Sequence, residues 1–351
     1  MLNIIDLHKS EEWDKIVKEN CYDDAYYQSG YIYANKLEFG ETPLLLHFEK
    51  DDIQIINIVS FRDISENDEF KEILPKGEFF DITTPYGYGG IIVNGNLTQK
   101  VKIEFIKEYS NFLKDHGVIS EFVRFHPFYE TPFQFGDIYD IEYNRKTVYM
   151  DLKDEESLWG NMKSTSRNRI RKIQERNPEV KSLTSKRYLK QFIDLYYVTM
   201  DKNNAENSYY FSEKYFEELM TSKDQVELFG VLIDGELISG MIVLKGSESI
   251  HYHLGATNPK YYSLSPNNLL FYEVGKWGVR KGYKKFHLGG GHSGENDGLF
   301  RFKKSMNKNG LINFYIGTKV WDDHSYEKLT KIKKDRVATE LSTNFFPAYR
   351  A

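Results

Sequence analysis

The stretch from Ile250 to Lys304 gathers side chains that could do chemistry at spacings a fold can use. His251 and His253 sit two apart in an alternating run, Ser249 to Leu254. As a strand, that run puts both rings on one face and Tyr252 on the other. Histidine titrates near neutrality, so His253 is a candidate general base or a donor to a substrate. Ser265-Pro266-Asn267-Asn268 then opens an apolar-periodic segment, Leu269 to Arg280, with Leu270, Val274 and Trp277 on one face. A helix N-terminus leaves backbone N–H groups free and suits an anion such as phosphate. Ser265 is placed to cap it, and Pro266 fits the first position, where no N–H is required. Ser265, Asn267 and Asn268 are therefore the candidate phosphate-binding residues. After Gly282 come a short strand, Tyr283 to Leu288, the triple glycine Gly289-Gly290-Gly291, and Arg301-Phe302-Lys303-Lys304. Lys303 is a candidate point charge for a developing oxyanion or a leaving group.

Two further constellations bear on chemistry. The loop Asp81 to Gly90 alternates Tyr86 and Tyr88 with glycines, so backbone and ring can both approach a ligand. Asp81 could hold an attacking amine, and Arg124, just before His126-Pro127, could pair with it. Between Glu155 and Asn177 lies a helical stretch stopped by Pro178, in which Lys163, Arg167 and Arg171 recur every four residues and share a face. Arg169, Lys172 and Arg176 thicken it, with few acidic partners at helical spacing. An unpaired cationic stripe suits a phosphate-bearing ligand. His287 and His292 flank the triple glycine but no third ligand is evident, so no metal site is assigned. The chain has no Walker loop and no GxSxG elbow, and Gly289-Gly290-Gly291 alone is too weak a signal for a nucleotide site, so neither ATP, NAD nor a covalent serine intermediate is suggested.

The elements that must position these residues fall into two similar halves. In the first, Thr42 to Phe48 and Ile53 to Phe61 flank Lys50-Asp51-Asp52 as a hairpin. An extended run ending in Pro85-Tyr86-Gly87-Tyr88-Gly89-Gly90 follows. Next come a helix near Leu97 to His116, ended by Gly117, and a strand, Ile119 to Phe125. In the second, Val226 to Ile233 and Glu236 to Leu244 flank Asp234-Gly235, a strong hairpin signal. The Ile250 strand, the Pro266 helix, Gly282 and the Phe286 strand repeat the order. We expect two domains, 1–145 and 146–351, joined through the segment Pro127 to about Asp154, with the C-terminal tail packing back.

Composition bounds the rest. With 351 residues, 40% hydrophobic and 28% charged in mixed order, the chain is an ordinary globular protein with no long disordered tail expected. A net charge of −5 argues against a general nucleic-acid coat, DNA included, while allowing a local basic patch. Cys21 is the single cysteine, so neither an internal disulfide nor a cysteine zinc site is available. The start, MLNIIDLHKSEEW, lacks the make-up of a signal peptide, and no run approaches the ~18 apolar residues of a membrane span. We therefore expect a cytoplasmic protein, with peripheral membrane association still open.

The ordered pieces resemble a family. They are Tyr149-Met150-Asp151-Leu152, Leu158-Trp159, the Arg167 to Lys172 run, Thr199-Met200, Tyr209-Tyr210-Phe211-Ser212 and His251-Tyr252-His253-Leu254. They continue through Pro266-Asn267, Gly298-Leu299-Phe300-Arg301-Phe302-Lys303 and Phe346-Pro347-Ala348-Tyr349-Arg350. Together with Pro85 to Gly90 and Arg124 to Pro127 they are similar to the Fem-type aminoacyltransferases and to acetyltransferases of polysaccharide gene clusters, both of the GNAT-like N-acyltransferase superfamily. The resemblance implies an α/β (α+β) fold of tandem GNAT-like domains, each a mixed, mostly antiparallel sheet flanked by helices. It also implies that Lys303 lies at the acyl-transfer centre and that Lys36, in Tyr31-Ile32-Tyr33-Ala34-Asn35-Lys36, meets an acceptor's pyrophosphate. Tyr86, Tyr88, Arg124, Arg167, Arg171, Tyr209, Tyr210, Tyr252, Arg301 and Phe302 complete the expected substrate site. The coiled-coil insertion of some tRNA-using members is missing. Tyr261 to Asn268 replaces the glycine-rich pyrophosphate loop of ordinary acetyl-CoA enzymes, so the donor stays open.

The expectation is an acyltransferase of transferase class, without a tightly bound cofactor, that uses acyl-CoA or a charged tRNA as co-substrate. It would acylate an amino group of a cell-envelope precursor, a nucleotide- or lipid-linked amino sugar or a peptidoglycan stem peptide, in peptidoglycan or polysaccharide biosynthesis. The alternative is a non-catalytic GNAT-like module that binds a nucleotide-sugar or tRNA; a general RNA-binding protein comes third, given the negative net charge.

Overall fold

A computed structural model of the chain describes residues 1–20, 23–129, 131–292, 297–336 and 345–351. The chain forms two compact units. One comprises Met1–Cys21, Phe39–Asn144 and Phe314–Ala351; the other comprises Tyr22–Glu38 and Arg145–Asn313. The path is thus not linear: a short N-terminal segment, which carries Lys36, belongs with the second unit, and the last 38 residues belong with the first.

The first unit is built on the hairpin Thr42–Lys50 and Ile53–Asp63, in register Leu45↔Ile58, with Asp51 at φ 53° in its turn. Leu2–Asp6 adds antiparallel on one side and Phe80–Thr83 on the other. Phe80–Thr83 then runs parallel to Val118–Arg124, the two joined through the helix Gln99–Asp115. Thr98 caps that helix through the Val101 N–H, and Val101, Phe105, Tyr109 and Leu113 bury its apolar stripe. Gly117 ends it at φ +65°, where a side chain would run into the Glu78 carbonyl. The 316–320 part of Leu311–Val320 adds antiparallel to Val118–Arg124. Tyr349 of the tail is fully buried beside Phe70, Ile119 and Leu329.

The second unit repeats the plan. Val226–Ile233 and Glu236–Lys245 form a hairpin whose turn, Asp234-Gly235, has φ 51° and 78°, both positive as a tight two-residue turn requires. Ser249–Thr257 pairs antiparallel with Glu236–Lys245, and the helix Pro266–Lys281 crosses over to Lys285–Gly289, which is parallel to Ser249–Thr257. Glu179–Ser182 adds antiparallel to Val226–Ile233 at one edge, and the 148–151 part of Asp140–Asp151 pairs with Lys285–Gly289 at the other. The core collects Val148, Met150, Val243, Ile250, Leu270, Val274 and Phe286 from these elements. Both units are α/β, with a mostly antiparallel sheet flanked by helices, as the sequence led us to expect.

One local expectation changes. The stretch Glu155 to Asn177 is two helices, Glu155–Asn161 and Ser164–Gln174. Met162 between them is extended and buried, and the Lys163 N–H leaves the helix to donate to the Ser305 carbonyl at 2.9 Å. Burying an apolar side chain and satisfying that N–H outweigh one more helical turn.

Candidate active site around Lys303

The parallel pair in the second unit holds register over three rungs, Ser249↔Lys285, Ile250↔Phe286 and His251↔His287. Beyond them the strands follow other neighbours. Ser249–Thr257 continues with Glu236–Lys245, and Lys285–Gly289 ends at Gly289↔Val148. The two strands therefore splay beyond His251↔His287. Lys303 stands at this splay. Its Nζ donates to the Gly290 carbonyl at 2.7 Å and lies 5.2 Å from the centroid of the Tyr252 ring.

The helix Gly298–Met306 holds Lys303 there through contacts at both ends. Asp297 caps it with a 2.7 Å bond from the Phe300 N–H. Ser166 Oγ donates to Ser305 Oγ at 2.8 Å, and the Asn307 amide donates to the Tyr149 carbonyl at 2.8 Å. Phe302 packs edge-on against Phe271 at 5.3 Å, and Phe271 contacts Tyr252 at 4.9 Å. Lys303 is only 5% exposed. Burial pulls its ammonium down to about 7, with the Asp297 carboxylate working the other way. An amine balanced near neutrality between its two protonation states can stabilise negative charge or deliver a proton. Arg301, on the outer face of the same helix, is exposed.

The helix start expected to bind phosphate packs on the same helix as Lys303. The Asn268 amide, buried, reaches the Met306 sulfur at 3.5 Å. The detail differs from expectation. Ser265 takes a left-handed conformation, φ 53°, and makes no side-chain cap. The Asn267 Oδ1 is spent on Ser239 Oγ at 2.6 Å and Thr257 Oγ1 at 2.9 Å, which ties the helix start to the sheet. Asn267 and Asn268 are thus anchoring side chains, and a phosphate there would have to be met by main chain.

His253 does not join Lys303. The register steps from Ile242↔Leu254 to Val243↔Tyr252, which leaves His253 as the extra residue of a bulge. Its ring turns to the opposite face, among Tyr31, Phe211 and Tyr215, and its Nε2 is 2.7 Å from the Tyr215 hydroxyl. Burial, helped by His251, pulls its pKa down to about 3, so it stays neutral and is a poor base near pH 7. His251 on the same face is completely buried against Asp24. Tyr215 and Asp24 gave no signal in the sequence, since their partners lie 38 and 227 residues away.

Around this centre, Tyr209 lies 6.2 Å from the His292 ring at the glycine turn, and its carbonyl accepts from Tyr196. Tyr210 faces away: its hydroxyl donates to Asp201 at 2.8 Å and its ring stacks on Tyr197. The basic stripe is partly engaged. Arg167 donates to the Trp159 carbonyl at 3.3 Å, at the C-terminal end of the helix Glu155–Asn161, where cations are favoured. Arg171 lies 5.2 Å over the Trp159 ring. Arg169, Lys172 and Arg176 are exposed. Lys36 is half-buried on the helix Ser29–Phe39.

Asp81, Tyr86, Tyr88 and Arg124 lie in the first unit. Asp81 is completely buried with one oxygen on Arg62 Nε, 2.6 Å, and the other on Arg350 Nε. A carboxylate held between two guanidiniums is structural, and the role of holding an amine is withdrawn. Arg124 turns instead to the loop, donating to the carbonyls of Thr84 at 2.6 Å, Pro85 at 3.1 Å and Gly87 at 3.1 Å. It fixes the loop that carries Tyr86, stacked on Phe39, and Tyr88, edge-on to Phe314. The sequence also gave no hint of Glu121, a buried carboxyl that accepts from Tyr109 at 2.8 Å, Tyr139 at 2.9 Å and Trp321 at 3.1 Å. Burial raises it to about 7, with those donors opposing.

Residues 160–304 match the family model described as acetyltransferase (GNAT) domain. No curated protein matches the chain in sequence. Among solved structures the fold is similar to FemX, with TM-score 0.72 at 13% identity over 93% of this chain and 99% of that one. It is also similar to the C-terminal domain of a lysylphosphatidylglycerol synthetase from Agrobacterium fabrum, with TM-score 0.57 at 13% identity over 91% and 93%. L-PGS from Bacillus licheniformis gives 0.55 at 13% identity over 88% and 91%. No helix among the described residues is long and apolar enough to cross a membrane. The chain thus has the GNAT-like fold seen in FemX, and its residues 160–304 resemble a GNAT acetyltransferase domain.

Proposed function

We propose that the protein is an N-acyltransferase that moves an acyl or aminoacyl group from acyl-CoA or aminoacyl-tRNA to an amino group of a cell-envelope precursor. The observation that carries this is Lys303: a buried amine poised near neutrality at the splay of two parallel strands, inside the GNAT-matching segment. Neighbours named FemX and lysylphosphatidylglycerol synthetase favour an aminoacyl donor.

In this reading the acceptor amine attacks the donor carbonyl in its neutral form. A carbon–nitrogen bond forms, and the thioester C–S bond or the ester C–O bond breaks. Lys303 faces the developing oxyanion as an ammonium and passes its proton to the departing thiolate or ribose oxygen; the proton shed by the acceptor nitrogen restores it. Tyr252 and Phe302 shape the apolar wall beside it, and Lys36 meets the acceptor's phosphate. Lys303→Ala should lower turnover by ~10²-fold or more, the scale of losing a preorganised electrostatic contact. Turnover would be followed by mass spectrometry of a UDP-linked amino sugar incubated with labelled acetyl-CoA or charged tRNA. Wild-type turnover in the variant would remove Lys303 from the mechanism.

A second reading, a non-catalytic module that binds a nucleotide-sugar or tRNA, is favoured by the helix start, where Pro266 has no N–H and Asn267 is spent on the sheet. Acylated product in the same experiment eliminates it.

A further inference from the structure

Asp24 is a buried carboxylate that the chemistry above leaves unused. Its Oδ1 caps the turn Ala25–Tyr27 through the Tyr26 N–H at 3.1 Å. Its Oδ2 accepts from Ser249 Oγ and from His251 Nε2, both at 2.9 Å. A carboxylate only accepts, so His251 carries its proton on Nε2. The approach is close. The Ser247 N–H donates to the Asp23 carbonyl at 2.9 Å, and a Cβ on Gly246 would come within 2.7 Å of that carbonyl oxygen and 3.0 Å of the Asp24 Cα. The far end of the segment is fastened too. The Glu38 carboxylate accepts from the Ser212 N–H at 3.1 Å and from its hydroxyl at 2.6 Å. Between the two fastenings, Tyr31 lies edge-on to His253 at 5.6 Å, and Lys36 rides on the helix Ser29–Phe39.

We propose that Asp24 is a positioning residue: it latches the segment Asp23–Glu38 onto the strand Ser249–Thr257 and thereby sets where Lys36 stands. Three donors converge on one buried carboxylate, and charge-assisted bonds of this kind are the strong ones. Truncating Asp24 leaves the buried Ser249 and His251 donors without it. The positioning half of the proposal rests on the reading of Lys36 as the contact to the acceptor's phosphate.

The test uses the full chain and its variants Asp24→Ala, Ser249→Ala and Lys36→Ala. Hydrogen exchange without ligand reads the latch, and calorimetric binding of UDP reads Lys36. Asp24→Ala should speed exchange across the helix Ser29–Phe39 by ~10-fold or more while the strands of the second unit keep wild-type protection. Ser249→Ala, which removes one donor and keeps the carboxylate, should give a smaller rise in the same segment. UDP affinity should fall by ~10-fold in both Asp24→Ala and Lys36→Ala. Unchanged exchange in Asp24→Ala overturns the latch. Should that variant fail to fold, Ser249→Ala decides: a rise confined to the segment supports the latch, and a uniform or absent rise overturns it. UDP affinity lost in Lys36→Ala but kept in Asp24→Ala overturns the positioning role. Equal UDP affinity in wild type and Lys36→Ala overturns the reading of Lys36 and the positioning role with it, an outcome the ligand-free exchange data keep distinct from failure of the latch.

Discussion

Lys303→Met should make the protein less dependent on pH and, in mildly acidic solution, more stable. Burial pulls the native Lys303 ammonium down to about 7 from the 10.5 of an ordinary lysine. Between those values the unfolded chain binds a proton that the native one does not, so wild-type stability rises with pH. At ~1.4 kcal/mol per unit, moving from pH 6 to pH 9.5 crosses about 2.5 units above the native value and brings the wild type ~3 kcal/mol that the methionine variant lacks. Methionine nearly conserves volume and apolar burial, which favours the variant. Its cost is the orphaned Gly290 carbonyl, ~1–3 kcal/mol, and this cost does not depend on pH. The assay is urea unfolding of wild type and variant at pH 6 and pH 9.5, followed by fluorescence and circular dichroism. The difference between the two proteins should shift by ~3 kcal/mol towards the wild type at the higher pH. Parallel stabilities at both pH values would refute the buried, depressed lysine, and with it the argument that this amine can exchange a proton near neutrality.

Glu121 gives the opposite slope. Its carboxyl is raised from 4.5 to about 7, so the native chain holds a proton that the unfolded one releases, and stability falls between those values. The loss is ~3 kcal/mol in wild type, and Glu121→Gln should abolish it; an unchanged pH profile in urea unfolding would count against the raised carboxyl. Asp81→Ala removes the buried carboxylate that Arg62 and Arg350 share and should cost ~3–5 kcal/mol in urea unfolding, while folded protein keeps its turnover. A stable variant without turnover would return Asp81 to the chemistry.

The local elements were legible because each depends on neighbours in sequence. Asp234-Gly235 specifies a two-residue turn whatever surrounds it, and Val101, Phe105 and Tyr109 mark a helix face by spacing alone. Gly117 and Gly282 stop their helices for a conformational reason intrinsic to glycine, at φ 65° and 85°. The repeated order of hairpin, strand, helix and strand follows from such signals, and it sufficed for the α/β class. The Arg301-Phe302-Lys303 motif drew attention to Lys303, whose part in acyl transfer is proposed above.

What its ammonium does was not legible, because a depressed lysine is a property of burial beside Tyr252 and Gly290, not of residue type. Alternation placed His251 and His253 on one face, yet only the bulge and the packing of Tyr31 and Tyr215 decided that this face lies away from Lys303. Asp81 looked like a turn carboxylate open to an amine until Arg62 and Arg350, 19 and 269 residues away, were found to hold it. The sequence by itself determined the elements and the residues with chemical potential. Tertiary structure alone decided the exchange of the Tyr22–Glu38 and Phe314–Ala351 segments between the units, and which charged groups are buried and paired. Burial and pairing are long-range quantities, set by residues that spacing along the chain does not connect.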